Sequence, residues 1–317
     1  MTKKLAFIFP GQGSQSPGMG FELATRFEDF KLLYEKHLKL ADEILDFSIS
    51  TLMKEGPAEK LKHTEVTQPA LLVCSVAMNR WLEAHDIRPS YCLGHSLGEY
   101  SALVAAGSLS FEDALRVVYQ RGKFMNEAMP AGEGAMAALV GASDEEAVNL
   151  CKEASNDTYR VEASVFNCSG QVVISGHRQA IEEAEKKASH FGVRRFARLE
   201  VSGPFHSSLL KPAGDKLATT LEKIKIESPK VPVIANVSAQ IQSQPEEIRS
   251  NLAEQVYKPV LWSESVRFVG REGIEDFVEV GSGKVLSGLI RKILPDARCT
   301  PTDGLQRLEI LKEAPAP

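Results

Sequence analysis

With 317 residues, 43% of them hydrophobic and 25% charged, the chain is long enough to bury one large core with a subdomain beside it, which excludes a tail or a small binding module. A formal net charge of -5 argues against nucleic acid as a partner. The five cysteines, Cys74, Cys92, Cys151, Cys168 and Cys299, form no C-x-x-C pair and no zinc spacing, so they read as free thiols with no metal site.

Residues 5–9 read as a buried strand. The run is too short for a signal peptide and is stopped by Pro10-Gly11, and no stretch reaches membrane-spanning length, so a cytoplasmic protein without a membrane partner is expected. The strand feeds a glycine-rich loop, Gly11-Gln12-Gly13-Ser14-Gln15. That loop is not a dinucleotide fingerprint, because Ser16 stands where the third glycine belongs, and Gly281-Ser282-Gly283-Lys284 is not a phosphate loop, because Val278 and Val285 hold the places of Gly and Ser/Thr. A helix is expected over residues 69–85, broken before Pro89. Tyr91-Cys92-Leu93 then leads into Gly94-His95-Ser96-Leu97-Gly98, followed by a helix-forming stretch over 100–106 closed by Gly107. The pattern G-x-S-x-G between strand and helix is a sharp turn whose glycines leave room for the bend, so that Ser96 projects into a cleft and the amide of Leu97 becomes an oxyanion donor. The bare pattern is also met in ordinary strand-turn-helix corners. Another helix is expected over 110–128, with Ser110 and Asp113 resembling a capping box.

The middle of the chain alternates differently. Strands at 134–140, 159–167, 171–175 and 193–201 and helices at 144–154 and 179–191 follow the order β-α-β-β-α-β. This is the ferredoxin-like pattern, read as a small subdomain (residues 129–201) inserted between two halves (1–128 and 202–317) of a larger α/β core with a parallel sheet. The active cleft is expected between the two.

A serine nucleophile needs a base, and of seven histidines five (His37, His63, His85, His177 and His190) sit among charged or helix-surface neighbours. His95 adjoins Ser96 but is expected to point away from it across the turn. His206 lies in Ser202-Gly203-Pro204-Phe205-His206-Ser207, at a strand end before a new helix, and spacing alone leaves it open between a base and a structural histidine. Arg121 interrupts the apolar stripe Ala114, Val118, Arg121, Met125, and a charge there needs a partner. An internal salt bridge and a fork-shaped clamp on a substrate carboxylate both answer that need.

Five segments, Gly11-Gln12-Gly13-Ser14-Gln15, Gly94-His95-Ser96-Leu97-Gly98-Glu99-Tyr100, Gln120-Arg121-Gly122, Gly203-Pro204-Phe205-His206-Ser207 and Gln255-Val256-Tyr257-Lys258-Pro259-Val260, occur in the order and at about the spacing of the malonyl-CoA:acyl carrier protein transacylases, which the chain resembles from residue 5 to about 294. The resemblance implies an α/β-hydrolase-like core with a ferredoxin-like insertion. It implies Ser96 as nucleophile, His206 as general base, the amides of Gln12 and Leu97 as oxyanion hole, Arg121 as the malonate-binding arginine, and Gln255 as the residue whose main-chain carbonyl orients the histidine. Asn167, Met125 and Phe205 are implied in the substrate pocket, with Phe205 where a large aromatic accompanies malonyl preference. A dyad of this kind needs no acid in the order Ser, Asp, His. Ser169 and Ser282 depart from the family, which commonly has proline at both places.

The implied reaction moves malonyl from malonyl-CoA to the phosphopantetheine thiol of an acyl carrier protein, by ping-pong through a malonyl-serine ester, with no cofactor beyond the thioester substrate. A monomer is expected. Carrier proteins are usually acidic, so Arg194, Arg195, Arg198, Arg291 and Lys292 are candidate contacts, a solvated face being their bland alternative. Two rival readings remain. A serine esterase or thioesterase shares the elbow and differs in its acceptor, but Arg121 and the missing acid weigh against it. A non-enzymatic carrier-docking subunit conflicts with the intact set Ser96, His206, Arg121 and Gln12.

Overall fold

The structure is a computed structural model and describes residues 4–130 and 132–312. Strands Leu5–Phe9 (β1) and Tyr91–Gly94 (β2) come first in the chain, Gly134–Val140 (β3), Val161–Cys168 (β4), Gln171–His177 (β5) and Arg195–Arg198 (β6) in its middle, and Val233–Ile234 (β7), Ile241–Gln242 (β8), Asp276–Glu279 (β9) and Arg298–Pro301 (β10) last. The first and last groups form a six-stranded sheet in the order β10-β9-β1-β2-β7-β8, parallel except at β8. β1 is buried along its whole length, as a strand covered by helices on both faces must be. Its register against β2 pairs Ile8 with Leu93 and Phe9 with Gly94. The loop after β1 and the turn after β2 therefore leave the sheet side by side at its carboxyl edge, where open α/β sheets bind ligands.

The middle strands form a separate antiparallel sheet in the order β4-β5-β3-β6, and the chain there runs β-α-β-β-α-β as expected. Alternation along its strands divides the work of its two faces. Ala137, Leu139, Val172 and Ile174 pack with helices Asp144–Ala154 and Arg178–Lys187 into a core of their own. Met136 and Val173, one residue out of phase, face the main core. The smaller sheet is stapled to the segment before helix Trp262–Arg271 by a parallel bridge between Val165 of β4 and Val260, with Phe166 N–H donating to Val260 O at 2.9 Å and Val260 N–H to Ser164 O at 2.9 Å.

Several boundaries differ from the sequence reading. The helix expected from Pro69 starts at Thr64 and runs to Ala84, with Pro69 inside it. Packing holds the turn that proline alone would discourage: a Cβ on Gly122 would sit 2.5 Å from Glu65 Cα, so helix Phe111–Glu127 crosses this turn at close quarters. The capping box at Ser110 is half formed. Its Oγ accepts from Asp113 N–H at 3.0 Å, while the Asp113 carboxylate takes the Ser110 hydroxyl rather than the backbone amide. The helix expected to reach residue 191 ends at Lys187 and tightens into the 3₁₀ turn Ala188–Phe191, and the strand expected over 193–201 is limited to Arg195–Arg198, an edge strand paired only with β3. No described helix is long and apolar enough to cross a membrane.

Candidate active site

The turn after β2 is as tight as its glycines imply. A Cβ on Gly94 would lie 1.9 Å from Gly98 C, and one on Gly98 would lie 2.0 Å from Phe9 O, so both positions need glycine. Ser96 between them has φ +50, a left-handed backbone uncommon outside glycine. An unpredicted residue holds it there. Asn236, just beyond β7, accepts from Ser96 N–H through Oδ1 at 2.7 Å and donates from Nδ2 to Gly94 O at 2.6 Å. Because β7 pairs with β2, an asparagine after the apolar run Val231 to Ala235 was the one available signal.

Ser96 Oγ lies 2.8 Å from His206 Nε2. His206 Nδ1 is 2.6 Å from Gln255 O, and a carbonyl only accepts, so Nδ1 carries the proton and Nε2 presents its lone pair to the serine hydroxyl. The backbone of His206 is also left-handed, at φ +61, and is tied by N–H to Val256 O at 3.1 Å. His206 is buried, and burial first and the Arg121 charge second push its pKa down to about 3, which keeps the imidazole neutral.

Arg121 is 1% exposed. Its hydrogen bonds go to neutral oxygens: Nη1 to Gln68 Oε1 at 2.8 Å, Nη2 to Gln255 Oε1 at 2.8 Å and to Ser96 Oγ at 3.2 Å. Nε–H has no hydrogen-bond partner in the geometry of the described residues, and the guanidinium lies over the Tyr100 ring, 5.6 Å from its centroid. The internal salt bridge entertained from sequence is not what satisfies this cation. Glu99, an acid whose charge Arg121 feels, is wholly buried and takes its hydrogen bonds from Gln255 Nε2 (2.7 Å), Gln242 Nε2 (2.6 Å) and Asn236 N–H (3.2 Å), and burial pushes its carboxyl up to about 7.

Ser96, Leu97, Gln12, His206, Arg121, Met125, Asn167 and Phe205 all line one cavity of about 300 Å³ between the two sheets. Gln255 does not line it and lies fully buried behind His206 and Arg121. The N–H groups of Gln12 and Leu97 have no hydrogen-bond partner among the described residues, and the second stands at the start of helix Gly98–Ala105, whose dipole favours negative charge there. His95 corrects an expectation: it lines the same cavity rather than pointing away from it, with Nε2 3.0 Å from Asn167 Oδ1 and its ring against Trp262. The mouth carries exposed Leu199 and Val285. Nearby, Lys292 donates to Gln171 Oε1 at 3.2 Å, Arg291 to Ser287 O at 3.2 Å, and Arg198 pairs with Glu185 at 2.6 Å. Sequence reasoning missed Asn236, Glu99, Gln242 and Gln68 as members of this site. Among the described residues no three His, Cys, Asp or Glu side chains converge as metal ligands do.

Residues 6–298 match the model of the acyl transferase domain family. The malonyl CoA-acyl carrier protein transacylase of Bacillus subtilis is 47% identical over 92% of this chain and 90% of its own. An acyl carrier protein S-malonyltransferase from Vibrio cholerae superposes with a TM-score of 0.93 at 39% identity, covering 98% of this chain and 100% of its own. A malonyl-transacylase solved in complex with its type II PKS acyl-carrier protein gives a TM-score of 0.91 at 41% identity, covering 98% of each chain.

Proposed function

The chain belongs to the acyl transferase family, among its malonyl CoA-acyl carrier protein transacylases, and from that premise we propose how its own residues carry malonyl from malonyl-CoA to an acyl carrier protein in fatty acid or polyketide biosynthesis. His206 Nε2 takes the hydroxyl proton as Ser96 Oγ attacks the thioester carbonyl. The oxyanion that forms is met by the free N–H groups of Gln12 and Leu97, donors fixed before the reaction begins. As the tetrahedral adduct collapses, His206 returns its proton to the departing sulfur and coenzyme A leaves as a thiol. A malonyl ester remains on Ser96. The phosphopantetheine thiol of the carrier then attacks that ester, and the same groups act in reverse order.

One observation carries the malonyl reading. Arg121 Nη2 is within hydrogen-bond distance of the nucleophilic oxygen itself. In malonyl a single methylene separates the free carboxylate from the reacting carbonyl, so a cation that touches the nucleophile suits a short diacid. An esterase would have no use for a buried cation there. A monomer is the proposed working unit, and the cytoplasm its proposed compartment. Arg194, Arg195, Arg198, Arg291 and Lys292 are exposed and are retained as contacts for an acidic carrier.

Intact-protein mass spectrometry after mixing with malonyl-, acetyl- and methylmalonyl-CoA tests the reading. A malonyl adduct that forms fastest and is discharged by carrier protein is expected. Hydrolysis of the adduct at the same rate with and without carrier would favour the hydrolase instead.

A further inference from the structure

The Gln255 side chain stands between a cation and an acid. Its Oε1 accepts from Arg121 Nη2 at 2.8 Å, while its Nε2 donates to Glu99 Oε2 at 2.7 Å and to Ser96 O at 2.9 Å. Only one orientation of the amide satisfies all three, because a guanidinium only donates and a carboxylate and a carbonyl only accept. The acid is itself pinned. Glu99 Oε2 also accepts the backbone N–H of Asn236 at 3.2 Å, and Glu99 Oε1 accepts Gln242 Nε2 at 2.6 Å. Both oxygens of a fully buried carboxyl are thus committed as acceptors, and neither faces the cavity.

We propose that Glu99 is a positioning residue for the transfer: it holds the Gln255 amide with its oxygen toward Arg121, and so fixes the guanidinium that reads the substrate carboxylate. The inference rests on the reading of Arg121 as the carboxylate clamp. Without an acceptor at residue 99, Ser96 O is the one strong acceptor left to Gln255 Nε2, and the amide, with a buried N–H unpaired, shifts out of line with the guanidinium. Arg121 then keeps Gln68 as its remaining amide partner and loses its aim. Gln255 holds His206 through a main-chain carbonyl, which a rotation of its side chain leaves in place. The effect of Glu99 therefore falls on recognition of the carboxylate more than on the base.

Glu99→Gln keeps the size and replaces the acceptor-only group by one that also donates. Acylation by malonyl-CoA and by acetyl-CoA is measured at about pH 8, alone and in the Arg121→Ala background, with thermal melting as the check on folding. Roughly tenfold loss of kcat/KM for malonyl-CoA is expected, the lower end for a hydrogen bond to a charged group, with much less loss for acetyl-CoA. In the Arg121→Ala background the second substitution is expected to add nothing. Equal losses on both substrates, full additivity with Arg121→Ala, or an unchanged malonyl-to-acetyl ratio overturns the proposal. If Arg121→Ala alone fails to discriminate the two substrates, the clamp reading falls first. Glu99→Asp, an acceptor one methylene shorter, is expected to give the same substrate-selective loss and carries the test should the amide variant not fold.

Discussion

Arg121 Nη2 lies 3.2 Å from Ser96 Oγ, so the cation that would read the far end of the acyl group donates to the atom that would attack its near end. The hydroxyl accepts from one side and, through its single proton, donates to His206 Nε2 on the other at 2.8 Å. The proposed nucleophile, base and clamp therefore meet at one oxygen.

Arg121→Ala is expected to cost about 1.5–3 kcal/mol in kcat/KM for malonyl-CoA, the worth of a hydrogen bond to a charged group, or roughly 10–150-fold. Acetyl-CoA should lose far less. Arg121→Lys should not restore malonyl activity, because one ammonium cannot reach Gln68, Gln255 and a carboxylate with the planar fork that now serves them. Equal losses on the two thioesters would make Arg121 structural.

The pH profile tests the base. Acylation needs neutral imidazole, and with the His206 pKa pushed down to about 3, by burial first and Arg121 second, the acid limb for acetyl-CoA should lie below about pH 5 instead of near the ordinary value of 6.5. Removing the Arg121 charge removes one of the forces opposing imidazolium. In Arg121→Ala the pKa rises and the limb moves to higher pH. A limb at 6.5 in the native protein, or a move to lower pH in the variant, would contradict the assignment.

Strain at the nucleophile can be read from two silent variants. Ser96→Ala and Ser96→Gly should both abolish malonyl labelling, and both lack the same hydroxyl. Only glycine is at ease at φ +50, so Ser96→Gly should be the more stable of the two by about 1 kcal/mol in chemical denaturation. The reverse order would mean that the turn holds no left-handed strain.

Phe205 lines the cavity immediately before the base and is 5% exposed. Its ring is expected to exclude a methyl on the malonyl α-carbon, a discrimination worth about 1–3 kcal/mol. Phe205→Ser should raise the methylmalonyl-to-malonyl ratio of kcat/KM at least several-fold. A folded variant losing both substrates alike would show a packing role only.

What the sequence makes legible here is whatever backbone geometry or a charge out of place makes conspicuous. Gly94 and Gly98 mark a bend that no side chain could occupy, Arg121 breaks an apolar stripe, and the order β-α-β-β-α-β sets the smaller sheet apart. The amides and the acid beneath the site are a different matter. Asn236 and Ser96 are 140 residues apart, and Gln255 and Glu99 are 156 apart; each is an unremarked polar residue until the fold brings it to its partner. His95 is misread for a related reason, because the direction of a side chain at a sharp turn depends on its neighbours Asn167 and Trp262, which come from two other elements. Pro69 shows the converse, a strong local signal overruled by the close crossing at Gly122.

The Val165–Val260 bridge bears on how parts of such enzymes can be exchanged. An engineer who wished to graft the smaller sheet from one relative onto another would cut the chain on either side of it, near residues 130 and 201. Those two cuts leave a third seam unattended. Residues 255–260 run straight from the carbonyl that holds His206 to the amide and carbonyl that pair with β4, so a foreign insert that seats even slightly differently on Val260 pulls on the base. A chimera built from two junctions should fold yet transfer poorly. One that carries the donor's own 255–260 segment along with its insert keeps the seam and the histidine in a single inherited piece.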